Sequence, residues 1–274
     1  MSRIAETFAR LRREGRRGFI PFITAGDPCL EMTRELLIEL AHAGASLIEL
    51  GVPFSDPVAD GPVIQRASER ALKYKFGLDE IMGTVASAQK EQPVPVVLFS
   101  YFNPLLSYGV DRLSREARSA GIDGVLVTDL VPEEAAEFNG ALRAQGLDMI
   151  FLVAPTSTDA RLSMVAERAS GFIYAVSRAG VTGARADMSR DAEQLVARVR
   201  SVSDLPVAVG FGISNAEQVA DVWRYADAAV VGSAIVAEIE RLKGDPKLVE
   251  RVGEFARALI PAETGSYDKA VRSG

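Results

Sequence analysis

Ala43-Gly44-Ala45-Ser46-Leu47-Ile48-Glu49 holds, within a few residues, the end of a helix, a tight turn and the start of a strand. The same joint returns at Ala120-Gly121-Ile122-Asp123-Gly124-Val125, and more loosely at Ala169-Ser170-Gly171-Phe172-Ile173 and Tyr225-Ala226-Asp227-Ala228-Ala229-Val230. Working outward from these joints, short apolar runs occur at 18–24, 46–52, 94–100, 124–129, 147–153, 171–177, 206–210 and 228–232. Each is rich in Val, Ile, Leu or Phe and bounded by Gly, Pro or Asp. Near-continuous apolarity without alternation is the pattern of parallel strands covered on both faces. Helical patterns lie between them. Leu30–His42 carries Leu36, Leu37 and Leu40; a helix over 133–145 follows Pro132; Asn215–Trp223 follows Ser214, a natural N-cap. Strand-helix alternation of this kind predicts an α/β fold. Eight such units fit a single closed (β/α)8 barrel of the TIM type better than an open doubly wound sheet, which remains the alternative. Residues 1–14 predict an extra N-terminal helix able to cover the barrel bottom. The expected layout is one barrel domain over 1–262 and a polar, frayed tail over 263–274.

The 274 residues suit one such barrel, and 48% hydrophobic with 25% charged residues is ordinary for a globular chain. A net charge of −6 argues against nucleic acid as a partner. The run Arg10, Arg12, Arg13, Arg16, Arg17 reads as a solvated helix face leading into the first strand rather than a nucleic-acid arm. One cysteine, Cys29, excludes an intramolecular disulfide, and with His42 as the single histidine neither a Cys-His nucleophile nor a metal-ligand spacing is present. No apolar run reaches the ~18 residues of a membrane helix, and the N-terminus lacks an apolar signal core, so the expectation is a cytoplasmic protein without a membrane partner.

Two loops, 52–65 and 178–188, are long for this architecture, where loops at strand C-terminal ends carry function. Glu49 interrupts the second strand. Pointing inward near the mouth, it would be a carboxylate in an apolar setting with a raised pKa, usable as a proton shuttle. Pointing outward, it would pair with a helix cation, and sequence alone leaves both readings open. Asp60, between Pro57 and Pro62, and Asp56 have ordinary turn readings when taken singly. Asp60 together with Glu49 would place two carboxylates of different environments at one mouth. At the other side, Gly210-Phe211-Gly212-Ile213-Ser214 and Val231-Gly232-Ser233-Ala234-Ile235 each close a strand and open a helix. That arrangement lets backbone N–H groups and a helix N-terminus face a phosphate. Gly180-Val181-Thr182-Gly183 could complete the cradle. Without a Walker A lysine, a nucleoside triphosphate is not expected.

Ile48-Glu-Leu-Gly-Val-Pro-Phe-Ser-Asp-Pro-Val-Ala-Asp-Gly61 resembles the signature of tryptophan synthase alpha subunits. Tyr101-Phe-Asn-Pro104, Thr128-Asp-Leu-Val-Pro132, Ser177-Arg-Ala-Gly-Val-Thr-Gly183 and Gly210-Phe-Gly-Ile-Ser214 are similar to further blocks of that family, in the same order. The resemblance spans about residues 1–262; its first block is specific, whereas the Gly-containing blocks are common to many barrels. It implies retro-aldol cleavage of indole-3-glycerol phosphate to indole and glyceraldehyde 3-phosphate, without metal or organic cofactor. It implies catalytic roles for Glu49, Asp60 and Tyr174. Phe22 and Phe211 would form walls around the indole, Gly183, Gly212, Gly232 and Ser233 phosphate contacts, and Thr182 part of a lid. Pro53, Asp56 and Pro57 would lie in a loop presented to a beta subunit within an α2β2 assembly. Lys73 and Lys75, expected on a polar helix, have no part in this chemistry because no Schiff base is needed. Two other readings remain: a sugar-phosphate isomerase, for which Asp129 is the available strand-end acid, and a non-catalytic binding barrel, which would not need both Glu49 and Asp60.

Overall fold

The computed structural model describes residues 1–176, 185–210 and 212–261. Eight parallel strands close into a barrel in sequential order, β1 pairing with β8 as well as with β2. The strands are β1 (Gly18–Thr24), β2 (Ile48–Gly51), β3 (Val96–Ser100), β4 (Gly124–Val127), β5 (Asp148–Val153), β6 (Ile173–Val176), β7 (Val207–Gly210) and β8 (Ala228–Val231). The helices are α1 (Arg3–Arg13), α2 (Leu30–His42), α3 (Pro62–Ala71), α4 (Leu78–Glu91), α5 (Phe102–Tyr108), α6 (Val110–Ala120), α7 (Ala136–Ala144), α8 (Asp159–Arg168), α9 (Arg185–Arg200), α10 (Ala216–Trp223), α11 (Ser233–Arg241) and α12 (Leu248–Leu259). The closed barrel replaces the open-sheet alternative, and each expected strand is present with its ends trimmed by up to three residues.

Both faces of every strand are apolar because both are covered. Residues such as Phe19, Ile23, Ile48, Leu50, Val96, Leu98, Val125 and Met149 pack outward with the helices. The alternate set, Ile20, Leu47, Val97, Leu126, Ile150, Phe172, Tyr174, Ala208, Ala228 and Val230, fills the barrel interior. Helix α1 adds Ile4, Phe8 and Leu11 to this inner cluster, with Phe8 and Phe172 rings 5.8 Å apart. It therefore plugs the end where the strands begin, as expected. Ser2 caps it by accepting from Ala5 N, while Ser2 Oγ donates to Asp148 and Arg3 reaches Asp123 at 3.3 Å, both carboxylates at strand starts. Arg10, Arg12, Arg13 and Arg16 are exposed, and Arg17 Nε donates to Trp223 O at 3.3 Å.

The recurring joint has a backbone cause. Gly121 ends α6 with φ +84°, the left-handed conformation in which the chain turns directly into β4. Some local expectations are corrected. Asn215, not Ser214, caps α10: its side chain accepts from Gln218 N at 2.9 Å, and Ser214 N donates back to Gln218 Oε1 at 2.7 Å. The predicted helix over 133–145 is split into a 3₁₀ turn, Pro132–Glu134, and α7, with Ala135 at ψ −2° between them. Lys73 and Lys75 follow the end of α3 in a turn and are exposed, rather than lying on a helix. Cys29 sits half-buried before α2, and His42 is exposed in its last turn. Among the described residues no helix is long and apolar enough to cross a membrane, and no group of three or more His, Cys, Asp or Glu could hold a metal ion. Thr182, Gly183, Phe211 and the tail over 263–274 lie outside the described residues. Of the expected lid over 178–188, residues 185–188 form the start of α9, and the rest also lies outside them.

Candidate active site

A cavity of about 350 Å³ opens at the end of the barrel where the strands finish. The inward alternation decides what lines it: Phe22 from β1, Glu49 from β2, Phe99 from β3, Leu152 from β5, Tyr174 from β6 and Val230 from β8. Asp60, Gly61, Pro62, Val63 and Ile64 close one side, and Gly212, Gly232 and Ser233 the other. The walls are mostly apolar. Phe22 and Phe99 meet edge to face at 5.3 Å, leaving an aromatic-lined slot. Among the described lining residues there is no Lys, Arg or His.

Glu49 points inward. In register with Phe22 on one side and Val97 on the other, it is 1% exposed, and its Oε1 has no hydrogen-bond partner among the described residues. Burial pushes its carboxyl up to about 8, because the mostly apolar wall solvates the anion far less well than water does. At neutral pH it therefore carries a proton. Tyr174 lies across the barrel, 6% exposed; burial, and then the neighbouring Glu49, hold its phenol well above the usual range. Its hydroxyl occupies space that only a glycine leaves open: a Cβ at Gly210 would lie 2.0 Å from it. Gly210 thus serves the tyrosine, a role its place in a glycine motif did not reveal.

Asp60 is less enclosed. Burial raises it to about 6, and a hydrogen bond from the Tyr101 hydroxyl works in the opposite direction. Its loop is fixed at several points: Tyr101 Oη accepts from Ala59 N at 2.9 Å, and Gln65 Nε2 donates to the Asp60 carbonyl at 2.9 Å. The Tyr101 ring lies 5.0 Å from that of Phe54, and its own hydroxyl is pushed up to about 12 by burial and by Asp60. Tyr101, Phe99, Leu152 and Val230 were missed as individual site residues. Their place at the C-terminal ends of strands would have flagged the last three, but with both strand faces apolar nothing in the sequence marks them as pointing inward. In the adjacent loop Pro53 is buried, Pro57 half-buried, and Asp56 and Val58 exposed, Val58 at 87%. From Ser55 to Pro62 the loop is mostly exposed.

Opposite the carboxylates, Gly232 caps α11 and Ser233 is its first residue. The first-turn N–H groups of a helix have no intrahelical acceptor and carry positive potential, so an anion fits there without any cationic side chain. Gly212, with φ +71°, faces the same space from the loop before α10. Asp129, the acid an isomerase would require, is exposed and absent from the cavity lining. Its Oδ1 accepts from Phe102 N at 2.7 Å and so caps α5.

A family model described as tryptophan synthase alpha chain matches residues 8–262. The chain is 49% identical over 259 residues to a tryptophan synthase alpha chain of Geobacter sp. (strain M21), covering 94% of this chain and 97% of the relative. With that of Geotalea uraniireducens it shares 51% over 259 residues, with the same coverage. A crystal structure of tryptophan synthase subunit alpha from Legionella pneumophila superposes with a TM-score of 0.87 at 36% identity, over 94% of this chain and 97% of that one. A chain from the tryptophan synthase α2β2 complex of Pyrococcus furiosus superposes with a TM-score of 0.82 at 39% identity, over 88% and 97%.

Proposed function

The chain belongs to the tryptophan synthase alpha chain family, and from that premise we propose how its residues carry out the family's reaction, the cleavage of indole-3-glycerol phosphate to indole and glyceraldehyde 3-phosphate. The observation that carries the reading is the pair of carboxylates at one mouth in unlike environments, Glu49 protonated at neutral pH and Asp60 ionised. The phosphate binds at Gly212, Gly232 and Ser233, with Thr182 and Gly183 as further contacts. The indole ring lies between Phe22 and its neighbours, with Phe211 as another wall. The ring N–H faces Asp60.

Cleavage needs a proton at indole C3, stabilisation of the positive charge that then develops at the ring nitrogen, and removal of a proton from the side-chain hydroxyl as the carbon–carbon bond breaks. Protonated Glu49 delivers the first proton and becomes a carboxylate. Ionised Asp60 stabilises the indolenine-like cation. The Glu49 carboxylate then takes the hydroxyl proton as the aldehyde forms, which restores the starting state, so no net proton is consumed. Tyr174, facing Glu49 across the barrel and neutral throughout, fixes the geometry of the transfer.

This division of roles sets a pH window. Asp60 must be ionised, so kcat/KM rises through about pH 6; Glu49 must be protonated, so it falls through about pH 8. A bell between those limits is the expected pH-rate profile, and a rate that keeps climbing above pH 9 would contradict a protonated Glu49.

The beta subunit is the partner, in an α2β2 assembly such as the Pyrococcus furiosus complex. The loop carrying Pro53, Asp56 and Pro57 is its docking element, with Asp56 and Val58 in contact and buried Pro53 shaping the loop. The chain is a single barrel domain over 1–262 followed by a tail, and works in the cytoplasm. The test is indole release from indole-3-glycerol phosphate by the purified chain, alone and with a beta subunit. Slow release that the partner accelerates supports both parts of the reading. No indole from folded protein under either condition removes the Glu49 and Asp60 assignments together.

A further inference from the structure

Beside the main cavity, and sharing Phe22, Ile64, Phe99 and Asp60 with it, lies a separate hollow of about 10 Å³. That is about the room one water molecule occupies. Its polar walls are Thr24 at the end of β1, Ser68 on α3, Ser100 at the end of β3, Tyr101 and Asp60 itself. Thr24 is 2% exposed, and its Oγ1 has no hydrogen-bond partner among the described residues. It is a β-branched residue within a buried strand, so the hydroxyl has little freedom to swing towards another acceptor. Nothing from β2 fills the space. Thr24 is in register with Gly51, where a Cβ would come within 2.5 Å of the Phe22 ring. A buried hydroxyl aimed into a water-sized polar hollow is the arrangement that ordered internal water satisfies, provided two to four polar groups surround it.

We propose that this hollow is a binding site for one ordered water, held by the Thr24 hydroxyl, and that through it Thr24 is a positioning residue for Asp60. The water completes what Tyr101 begins: Tyr101 donates to the carboxylate from one side, and the water donates from another. The carboxylate is thereby aimed at the main cavity and kept ionised as the ring nitrogen develops charge. The water site stands on geometry alone; its effect on rate rests on the role proposed above for Asp60. The titratable groups around that carboxylate are Tyr101 at the end of β3, Glu49 on β2 and Tyr174 on β6, while Asp129 acts on Tyr101. On α3, Arg66 and Arg70 are committed to Glu240 and Asp27.

The test uses the whole chain. A crystal structure at a resolution that shows ordered solvent should place one water within hydrogen-bonding distance of Thr24 Oγ1 and an Asp60 oxygen, and Thr24→Val should lose it. In the pH-rate profile, Thr24→Val should move the acidic limb upward by about fivefold in the ionisation constant, the equivalent of one hydrogen bond. The alkaline limb should stay in place, and Thr24→Ser should restore the acidic one. A dry hollow in the wild-type crystal overturns the site without reference to any variant. A water that is present while Thr24→Val leaves the acidic limb unmoved overturns the positioning role. The catalytic reading fails separately, through an Asp60→Asn chain with undiminished turnover, in which case water in the wild-type hollow still supports the site.

Discussion

Replacing Glu49 with Gln is expected to lower indole formation by about 10²–10⁴-fold, the contribution of a poised acid-base group. Gln has the same size and keeps a polar end in the same place, but it can neither give up nor accept the transferred proton. The phosphate contacts proposed above, Gly212, Gly232 and Ser233, line the opposite wall, so binding of a glycerol phosphate should be unchanged. The same variant carries a second signature in stability. The carboxyl sits at 4.5 in the unfolded chain and at about 8 in the folded one. Below pH 4.5 it is protonated in both states and costs nothing. Between 4.5 and 8 only the unfolded chain ionises, which draws the equilibrium towards unfolding; above 8 the penalty is constant. Glu49→Gln removes it, so the variant should unfold at higher denaturant concentration than the wild type near pH 8 and match it near pH 4. An inactive variant that is more stable is what a functional acid held in an apolar wall predicts. A variant destabilised at pH 8 would mean that Glu49 belongs to the packing.

The second large effect is expected at Arg70, which does not line the cavity. Its guanidinium binds Asp27 through Nε and Nη2 at 2.8 and 2.7 Å, and Glu240 through Nη1 at 2.7 Å. Arg66 takes the remaining positions on Glu240, at 2.9 and 2.7 Å. Asp27 is 2% exposed and follows β1, Arg70 is on α3, and Glu240 is on α11. The network thus ties α3, the helix that follows Asp60, to α11, the helix that starts at the cavity-lining Ser233. Arg70→Met would leave the Asp27 carboxylate buried without its cation, at a cost of about 3–5 kcal/mol. For a chain of this size that corresponds to a fall in Tm of roughly 10 °C. Adding Asp27→Asn should recover part of the loss, because an uncompensated charge costs more than an absent pair. Calorimetry of the single and double variants checks both. A single variant that melts within a degree or two of the wild type would show the pair to be as weak as a surface salt bridge.

The fold was legible because the chain repeats one joint and buries every strand on both faces. The same double burial hid the orientation of Glu49. In Leu47-Ile48-Glu49-Leu50-Gly51 both phases are apolar apart from the glutamate, so there is no alternation to read. Only the register with Phe22 and Val97 assigns it inward. Asp60 was legible as a candidate through its proline-bounded loop, but its link to Tyr101 joins residues far apart in sequence. Gly210 resembled a phosphate glycine until the Tyr174 hydroxyl was placed against it. Ser214 and Asn215 are both good caps, and the choice between them depended on the backbone of a loop, where local preference is weakest.

The plug formed by α1 has a consequence for how the chain is made. Its apolar face, Ile4, Phe8 and Leu11, docks on an inner cluster that includes Phe172, Ala208, Ala228 and Val230. Synthesis at about 5–20 residues per second separates α1 from β8 by roughly 10–40 s. Throughout that interval the first helix has emerged while the surface it seals does not yet exist. Barrel closure, β8 against β1, is the longest-range strand pairing and cannot form before β8 has been made. Until then an amphipathic, arginine-rich segment is exposed on the nascent chain. Its four exposed arginines then act as solubilising gatekeepers beside a hydrophobic stripe, a task that ends once the ring is closed.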